Sequence, residues 1–366
     1  MIDKGVETQK RICCSNCQLC PARERCNVLC GIGGSGLFSD GKLVLDLHSG
    51  GKLDAISSLT EEEKAELTKY IVTTLKKYDG VSKMGPHITF EQQQVWKRKF
   101  RQQGVSIHHY DVLHMGTENL QHITANFMNE LLKNPRFTMK ADCEIIDVRD
   151  GENEKSILFA NNDEKFEAAN VMFSIGKTGS KWLNNLFSRE KIQFLNTKTY
   201  VGVRLEASHD LIAKLFEYSF DPKIWKYYGE QKVKTHCFCR HGDIICSNYM
   251  GFSVIGGQTR FTENNAVSNE SISGKSNFNI LVSTGADKDK ILEILTEFKG
   301  LNPNGGVVQK LSDFLHLETK EINYHLNVPE RYKWGNIRTV LDGLDNVGGL
   351  IADFIIRLSK IVPGVV

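Results

Sequence analysis

The sequence predicts an α/β fold in which helices and strands alternate early and strands dominate later. Three observations predict it: amphipathic helical stretches near 61–78, 90–103 and 117–132, a run of short apolar strands between 137 and 174, and strands with longer helical insertions after about 185. With 366 residues and 40% apolar content, the chain is long enough to build two cores.

Residues 1–57 are rich in Gly and Cys and carry little helical or strand period, so they are read as an ordered loop region. Thr60 and Glu63 form a capping-box signature ahead of Leu67, Ile71 and Leu75 at helical spacing. A second helix is capped by Thr89 and stopped by Gly104. Residues 105–110 read as a strand, and Thr117 opens a helix whose apolar face holds Leu120, Ile123, Phe127 and Leu131, the pattern of a βα unit in a parallel sheet. Strands at 143–148, 156–160 and 171–174, broken by Asp150-Gly151 and by residues 161–163, predict a meander that returns to that sheet. Strands follow at 200–206, 233–239, 243–249 and 278–283, then helices near 287–298 and 305–314 and a helical tail from 336. These shifts in texture place domain boundaries at 1–190, 191–335 and 336–366.

Charge is nearly balanced, 46 Lys+Arg against 44 Asp+Glu, which argues against nucleic acid as a partner. No apolar run reaches the ~20 residues needed to span a bilayer, and residues 1–5 lack the apolar core of a signal peptide. Six of the ten cysteines crowd into residues 13–30, a pattern of metal or redox use in a reducing compartment rather than of a secreted disulfide framework. A soluble cytoplasmic protein without a membrane partner is the expectation, and its oligomeric state is left open.

Residues 31–43, Gly-Ile-Gly-Gly-Ser-Gly-Leu-Phe-Ser-Asp-Gly-Lys-Leu, bring five glycines together, and their backbone N–H groups suit a phosphate or a ring edge; a flexible surface loop is the competing reading. Leu43 after Lys42 excludes a P-loop, and no strand precedes the glycines as a dinucleotide fingerprint requires. Ile2-Asp3 reads as a strand end closing on an acid that in a dinucleotide-binding unit bonds a ribose hydroxyl. Residues 168–179 read as an apolar strand ending in Gly176, either beneath a cofactor or at an ordinary exit turn. Cys14, Cys17 and Cys20 copy three ligand positions of a bacterial ferredoxin run, with Cys26 or Cys30 as a fourth. Zinc would take the same thiolates, and reduced thiols packed beside the glycine loop are the alternative. Cys237 and Cys239 share one strand face, where small buried hydrophobes are favoured over a redox thiol. His87, His108, His109 and His114 are acid–base candidates by residue type alone.

Cys26-Asn27-Val28-Leu29-Cys30 leading into residues 31–43 resembles the G-x-G-G-[AS]-G-x-[FY]-S-D-G-K-L signature of the uncharacterised FAD-dependent dehydrogenase family. Further segments agree in order: Gly85-Pro86-His87-Ile88, Gly116-Thr117-Glu118-Asn119-Leu120, residues 175–183, Gly202-Val203-Arg204-Leu205-Glu206, Thr235-His236-Cys237-Phe238-Cys239 and Lys275-Ser276-Asn277-Phe278. The resemblance implies an FAD-dependent oxidoreductase with a Rossmann-like FAD/NAD(P)-binding domain and an inserted β-rich α+β domain. It implies a small-molecule substrate or electron acceptor, with NAD(P)H as candidate electron donor. By position, Asp3 meets the adenosine ribose, residues 33–40 lie along the flavin and Ile175-Gly176 line it. The implied cofactor-binding set is Asp3, Gly31, Gly33, Gly34, Ser35, Gly36, Ser39, Asp40, Lys42, Ile175 and Gly176. The family's first strand with its G-x-G-x-x-G turn and its C-terminal FAD-binding segment have no counterpart here, so a truncated form is expected and the Rossmann-like domain is incomplete. The alternative function is a Cys-rich iron–sulfur or zinc protein in electron transfer or structure, held through Cys14, Cys17, Cys20 and Cys26.

Overall fold

A computed structural model describes residues 1–13, 25–46, 57–78, 82–193, 198–259, 274–317 and 331–363. Strand β1 (Lys42–Val44) precedes helix α1 (Glu61–Lys76), β2 (Lys83–Met84), α2 (Phe90–Gln102), β3 (Ser106–His108), β4 (Val112–His114) and α3 (Thr117–Leu132). Next come β5 (Ile145–Asp150), β6 (Ser156–Ala160), β7 (Lys165–Ala168), α4 (Ser180–Arg189), β8 (Thr199–Ser208) and α5 (His209–Tyr218). They are followed by β9 (Lys223–Tyr228), β10 (Gln231–Cys239), β11 (Gly242–Tyr249), β12 (Phe252–Thr259), β13 (Lys275–Thr284) and α6 (Lys288–Leu301). The last elements are β14 (Gly306–Val308), α7 (Leu311–Leu315), β15 (Tyr332–Trp334), α8 (Ile337–Asp342) and α9 (Val347–Ser359). The result is a mixed α/β fold with several sheets.

Helix starts follow their local chemistry. Thr60 Oγ1 accepts from Glu63 N at 3.2 Å while Glu63 Oε2 accepts from Thr60 N at 2.7 Å, and Thr89 and Gln92 repeat the exchange at α2. Asp287 caps α6 by accepting from Lys290 N at 2.9 Å.

The largest sheet runs β3-β9-β10-β13-β8, antiparallel throughout. Alternation along β13 turns Phe278, Ile280 and Val282 to one face and Asn277 and Asn279 to the other. The apolar face joins a core with Leu205 of β8, Ile212, Leu215 and Phe216 of α5, and Val347, Ile351, Phe354 and Leu358 of α9. Arg204, paired across the ladder with Asn279, lies on the polar face with Asn277 and Asn279. That face carries the site described below.

Four expectations need correction. β3 does not start a parallel βα unit, because it hydrogen-bonds antiparallel to β9; among the described residues only β14 with β15 and the bridge Ile2 to Lys140 pair in parallel. The meander β5-β6-β7 forms its own sheet instead of returning to a larger one. Its third strand is Lys165–Ala168, whereas residues 171–174 form no strand and leave Met172 91% exposed, since apolar character alone supplies no ladder partner. The helix placed at 305–314 is a short strand, β14, followed by the five-residue α7, because Gly305-Gly306 interrupts the helical pattern. No helix of the described residues is long and apolar enough to cross a membrane.

Candidate functional site

Two places gather the chemically active residues. The first is built around Arg11, which is 5% exposed. Its guanidinium donates to the carbonyls of Asn27 (2.9 and 2.7 Å), Ile32 (2.8 Å), Gly34 (2.8 Å), Gly31 (3.2 Å) and Val28 (3.3 Å). One buried cation thus gathers the carbonyl side of the loop beneath the surface and leaves Gly33, Gly34, Ser35 and Gly36 exposed. Burial lowers the Arg11 pKa to about 10 against the pull of Asp3, Cys30 and Cys26, so it stays cationic at neutral pH.

Glycine is required where Gly5 crosses Gly31, since a Cβ on Gly5 would lie 2.5 Å from the Gly31 Cα. Gly34 has φ 65°, which side chains disfavour, and a Cβ there would meet nothing within 4 Å. The N-terminal segment runs alongside residues 138–143, with Asp3 N donating to Lys140 O at 2.9 Å and Cys143 N to Asp3 O at 3.0 Å. Asp3 Oδ1 accepts from Gly5 N at 2.8 Å and so holds the turn. The turn holding Ile175 and Gly176 is tied in by Cys30 Sγ donating to Thr178 Oγ1 at 3.3 Å and Lys4 Nζ to Thr178 O at 3.5 Å. The Asp3 turn thus reaches the loop where Gly5 crosses Gly31, and the turn holding Ile175 and Gly176 reaches it through Thr178 and Cys30. Ser39 spends its hydroxyl inside the loop, donating to Gly36 O at 2.7 Å and accepting from Gly41 N at 3.2 Å.

Asp40 and Lys42 depart from that group and build the second place. Lys42 Nζ lies 2.6 Å from Asp40 Oδ2 and 3.9 Å from Asp221 Oδ1, and it donates to the Phe238 carbonyl; its side chain is 7% exposed. Asp221 Oδ2 accepts from Tyr110 Oη at 2.8 Å and Lys223 Nζ at 2.6 Å, and its Oδ1 accepts from Phe238 N at 3.0 Å. Burial opposes the Lys42 charge, but Asp40 and Asp221 outweigh it and raise the pKa. Burial likewise opposes the Asp221 charge, but Lys42 and Lys223 outweigh it and hold its pKa well below the usual carboxylate range. Burial lowers the His114 pKa to about 4, which favours the neutral ring at pH 7.

Cys239 and Cys237 complete the cluster. Cys239 Sγ lies 3.3 Å from Asp40 Oδ2 and 3.0 Å from the Arg204 Nη2 that also donates to Cys237 O at 3.1 Å. Arg204 is fixed by Asn277 Oδ1 at 2.6 Å and Asn279 Oδ1 at 3.1 Å. Ligand atoms of Asp40, Cys237 and Cys239 fall within 4.8 Å of one another. A divalent ion does not suit them, because Lys42 and Arg204 already place two cations against the same atoms.

No family model and no curated protein matches the chain. Its own topology therefore carries the site: segments scattered from Ser39-Asp40 through Gly116, Arg204 and Cys237 to Asn277 converge, with Gly116 N donating to Asp40 O at 3.1 Å and Thr117 Oγ1 to Ser39 O at 2.6 Å. A polar cleft of about 330 Å³, lined by Leu45, His87, His109 and Tyr110 among others, adjoins the cluster through Tyr110 and not the glycine face. Of the expected metal ligands, Cys14, Cys17 and Cys20 lie outside the described residues, and half-buried Cys26 packs beside Val28, Leu37 and Phe38. Arg11, Tyr110 and Asp221 were missed by sequence reasoning; the Asp221-Pro222 turn was the one local signal, and Arg11 gave none.

Proposed function

We propose that this chain is an FAD-dependent oxidoreductase whose flavin nucleotide lies against the exposed backbone of Gly33, Gly34, Ser35 and Gly36, flanked by Asp3 and by Ile175-Gly176. The observation that carries the reading is the inward turn of five loop carbonyls onto Arg11, which leaves Gly33, Gly34, Ser35 and Gly36 exposed on a loop that the Asp3 turn meets at Gly31 and the Ile175-Gly176 turn meets through Cys30. The residues fit such a group: the face is open, Gly36 and Gly176 would accommodate a Cβ without a neighbour within 4 Å, and Lys4 and Arg11 set positive charge near it. Resemblance of residues 26–43 and of the later motifs to the FAD-dependent dehydrogenase family supports the same assignment.

When bound, FAD supplies the two-electron chemistry. The chain's own residues position it: Arg11 locks the loop, and Asp3, with Oδ1 held by Gly5 N, offers Oδ2 to a sugar hydroxyl. NAD(P)H is the proposed electron donor and a small molecule the acceptor.

Gly36→Leu tests this reading with little risk to the fold, because the new side chain enters open space at a residue with no positive φ. Expected are a stability change within about 0.5 kcal/mol and FAD affinity reduced at least about tenfold, near 1.4 kcal/mol, in a flavin-fluorescence titration of the full chain. Failure of the parent chain to bind FAD at all, or equal affinity in the variant, would overturn the proposal.

A further inference from the structure

We propose that Cys237 and Cys239 form a redox-active thiol pair that exchanges electrons with low-molecular-weight disulfides, Cys237 as attacking thiolate and Cys239 as the thiol that resolves it. The inference goes beyond the flavin reading and needs no flavin.

Geometry comes first. In a regular strand, residues i and i+2 share a face with Cα atoms about 6.6 Å apart, near the outer limit for a disulfide. β10 is not regular there: its register against β13 slips between His236 and Cys239, and Cys237 has φ 54°. A non-glycine residue in the left-handed region is strained, and such strain concentrates at working sites. Here the slip brings the two sulfurs within 4.8 Å.

Electrostatics distinguishes the two thiols. Around them stand Asp40 and Asp221 as carboxylates, Lys42, Lys223 and Arg204 as cations, and His114 as a neutral ring. Two negative charges against three positive leave one positive charge uncompensated, and one thiolate balances it. Proximity to Cys239, with Lys42 and Arg204, lowers the Cys237 pKa, while Cys239, whose Sγ donates to Asp40 Oδ2 at 3.3 Å and which is buried beside that carboxylate, keeps its proton. Access agrees, for Cys237 is half-buried and Cys239 fully buried.

The exchange balances without a further reagent. Cys237 thiolate attacks one sulfur of RSSR, the S–S bond breaks, RS⁻ leaves and a Cys237–S–S–R bond forms. Cys239 then attacks the Cys237 sulfur, its proton passing to the second departing RS⁻. Two protein sulfurs are oxidised to a disulfide, and one RSSR is reduced to RSH and RS⁻.

The test equilibrates the full chain with oxidised glutathione, quenches with N-ethylmaleimide and maps the peptides. Expected are a Cys237–Cys239 disulfide in the parent, glutathione retained on Cys237 in Cys239→Ser, and neither product in Cys237→Ser. In Cys239→Ser, the pH midpoint of Cys237 alkylation is expected to stay below the ordinary thiol value of about 8.5, and adding Lys42→Met is expected to raise it. Glutathione on Cys239, a Cys237 that stays reduced while the urea-unfolded chain oxidises, or a midpoint at or above the ordinary value would overturn the proposal.

Discussion

Lys42→Met is expected to lower the stability of the fold by about 3–5 kcal/mol at pH 7, the cost typical of removing one partner of a buried ion pair. Lys42 neutralises Asp40 at 2.6 Å and Asp221 at 3.9 Å and satisfies the Phe238 carbonyl, so the Met leaves two carboxylates and one carbonyl without it. A Met of similar length fills the volume, which confines the loss to electrostatics. Urea denaturation of parent and variant measures it. Adding Asp40→Asn is expected to recover part of the loss, because the charge left behind is then gone. A Lys42→Met protein with an unchanged urea midpoint would mean that the ammonium is not held as described.

The pH dependence has a definite sign. Asp221 has a folded pKa below its unfolded value of about 3.9, so its contribution is present above that value and is lost as pH falls through the folded pKa. Lys42 has a raised folded pKa, so its contribution is present below about 10.4 and is lost as pH rises through the folded value. In Lys42→Met the buried Asp221 carboxylate loses the cation that helps to hold its pKa down, and that pKa rises. The penalty should therefore be largest at neutral pH and shrink as acid protonates Asp221.

Local signals were legible in the sequence where a few neighbouring residues decide the outcome. Thr60 with Glu63, and Thr89, mark helix starts that the structure keeps, and alternation in residues 278–283 marks a strand with one apolar face. Pairing direction was not legible, because a three-residue strand such as β3 carries no mark of whether its partner runs with it or against it. α5 and β9 escaped for the same reason, since their apolar residues make sense only against α9 and β10. The glycine face was visible as composition, but the cation beneath it was not: Arg11 finds its acceptors 16 to 23 residues away, where no periodicity reports on it. In the buried cluster, Asp40 and Cys239 are 199 residues apart, and only the contacts of Asp40 and Lys42 with the end of β10 make one chemical object of them. Cys237 and Cys239 were read as packing residues on one face of a regular strand; the register slip between His236 and Cys239 breaks that alternation, and sequence does not encode such a slip locally.

Arg11→Met is expected to open the glycine loop at a cost of roughly 3–5 kcal/mol. Five residues present carbonyls to this guanidinium, and a thioether can donate to none of them. Part of the loss is recovered when water reaches the carbonyls, so the damage falls on the loop before it falls on the core formed with α9. Hydrogen exchange separates the two: amides of Gly34, Leu37 and Ser39, which bond within the loop, should lose protection while those of β13 keep theirs. Arg11→Lys should rescue only in part, because one ammonium has three donors and no planar fork to reach carbonyls on both sides. If the glycine face holds a flavin nucleotide, the same variant releases it, whereas Lys42→Met leaves the loop's own bonds in place. Loop amides as protected in Arg11→Met as in the parent would show that the loop is shaped by something other than this cation, and the proposed binding face would lose its physical basis.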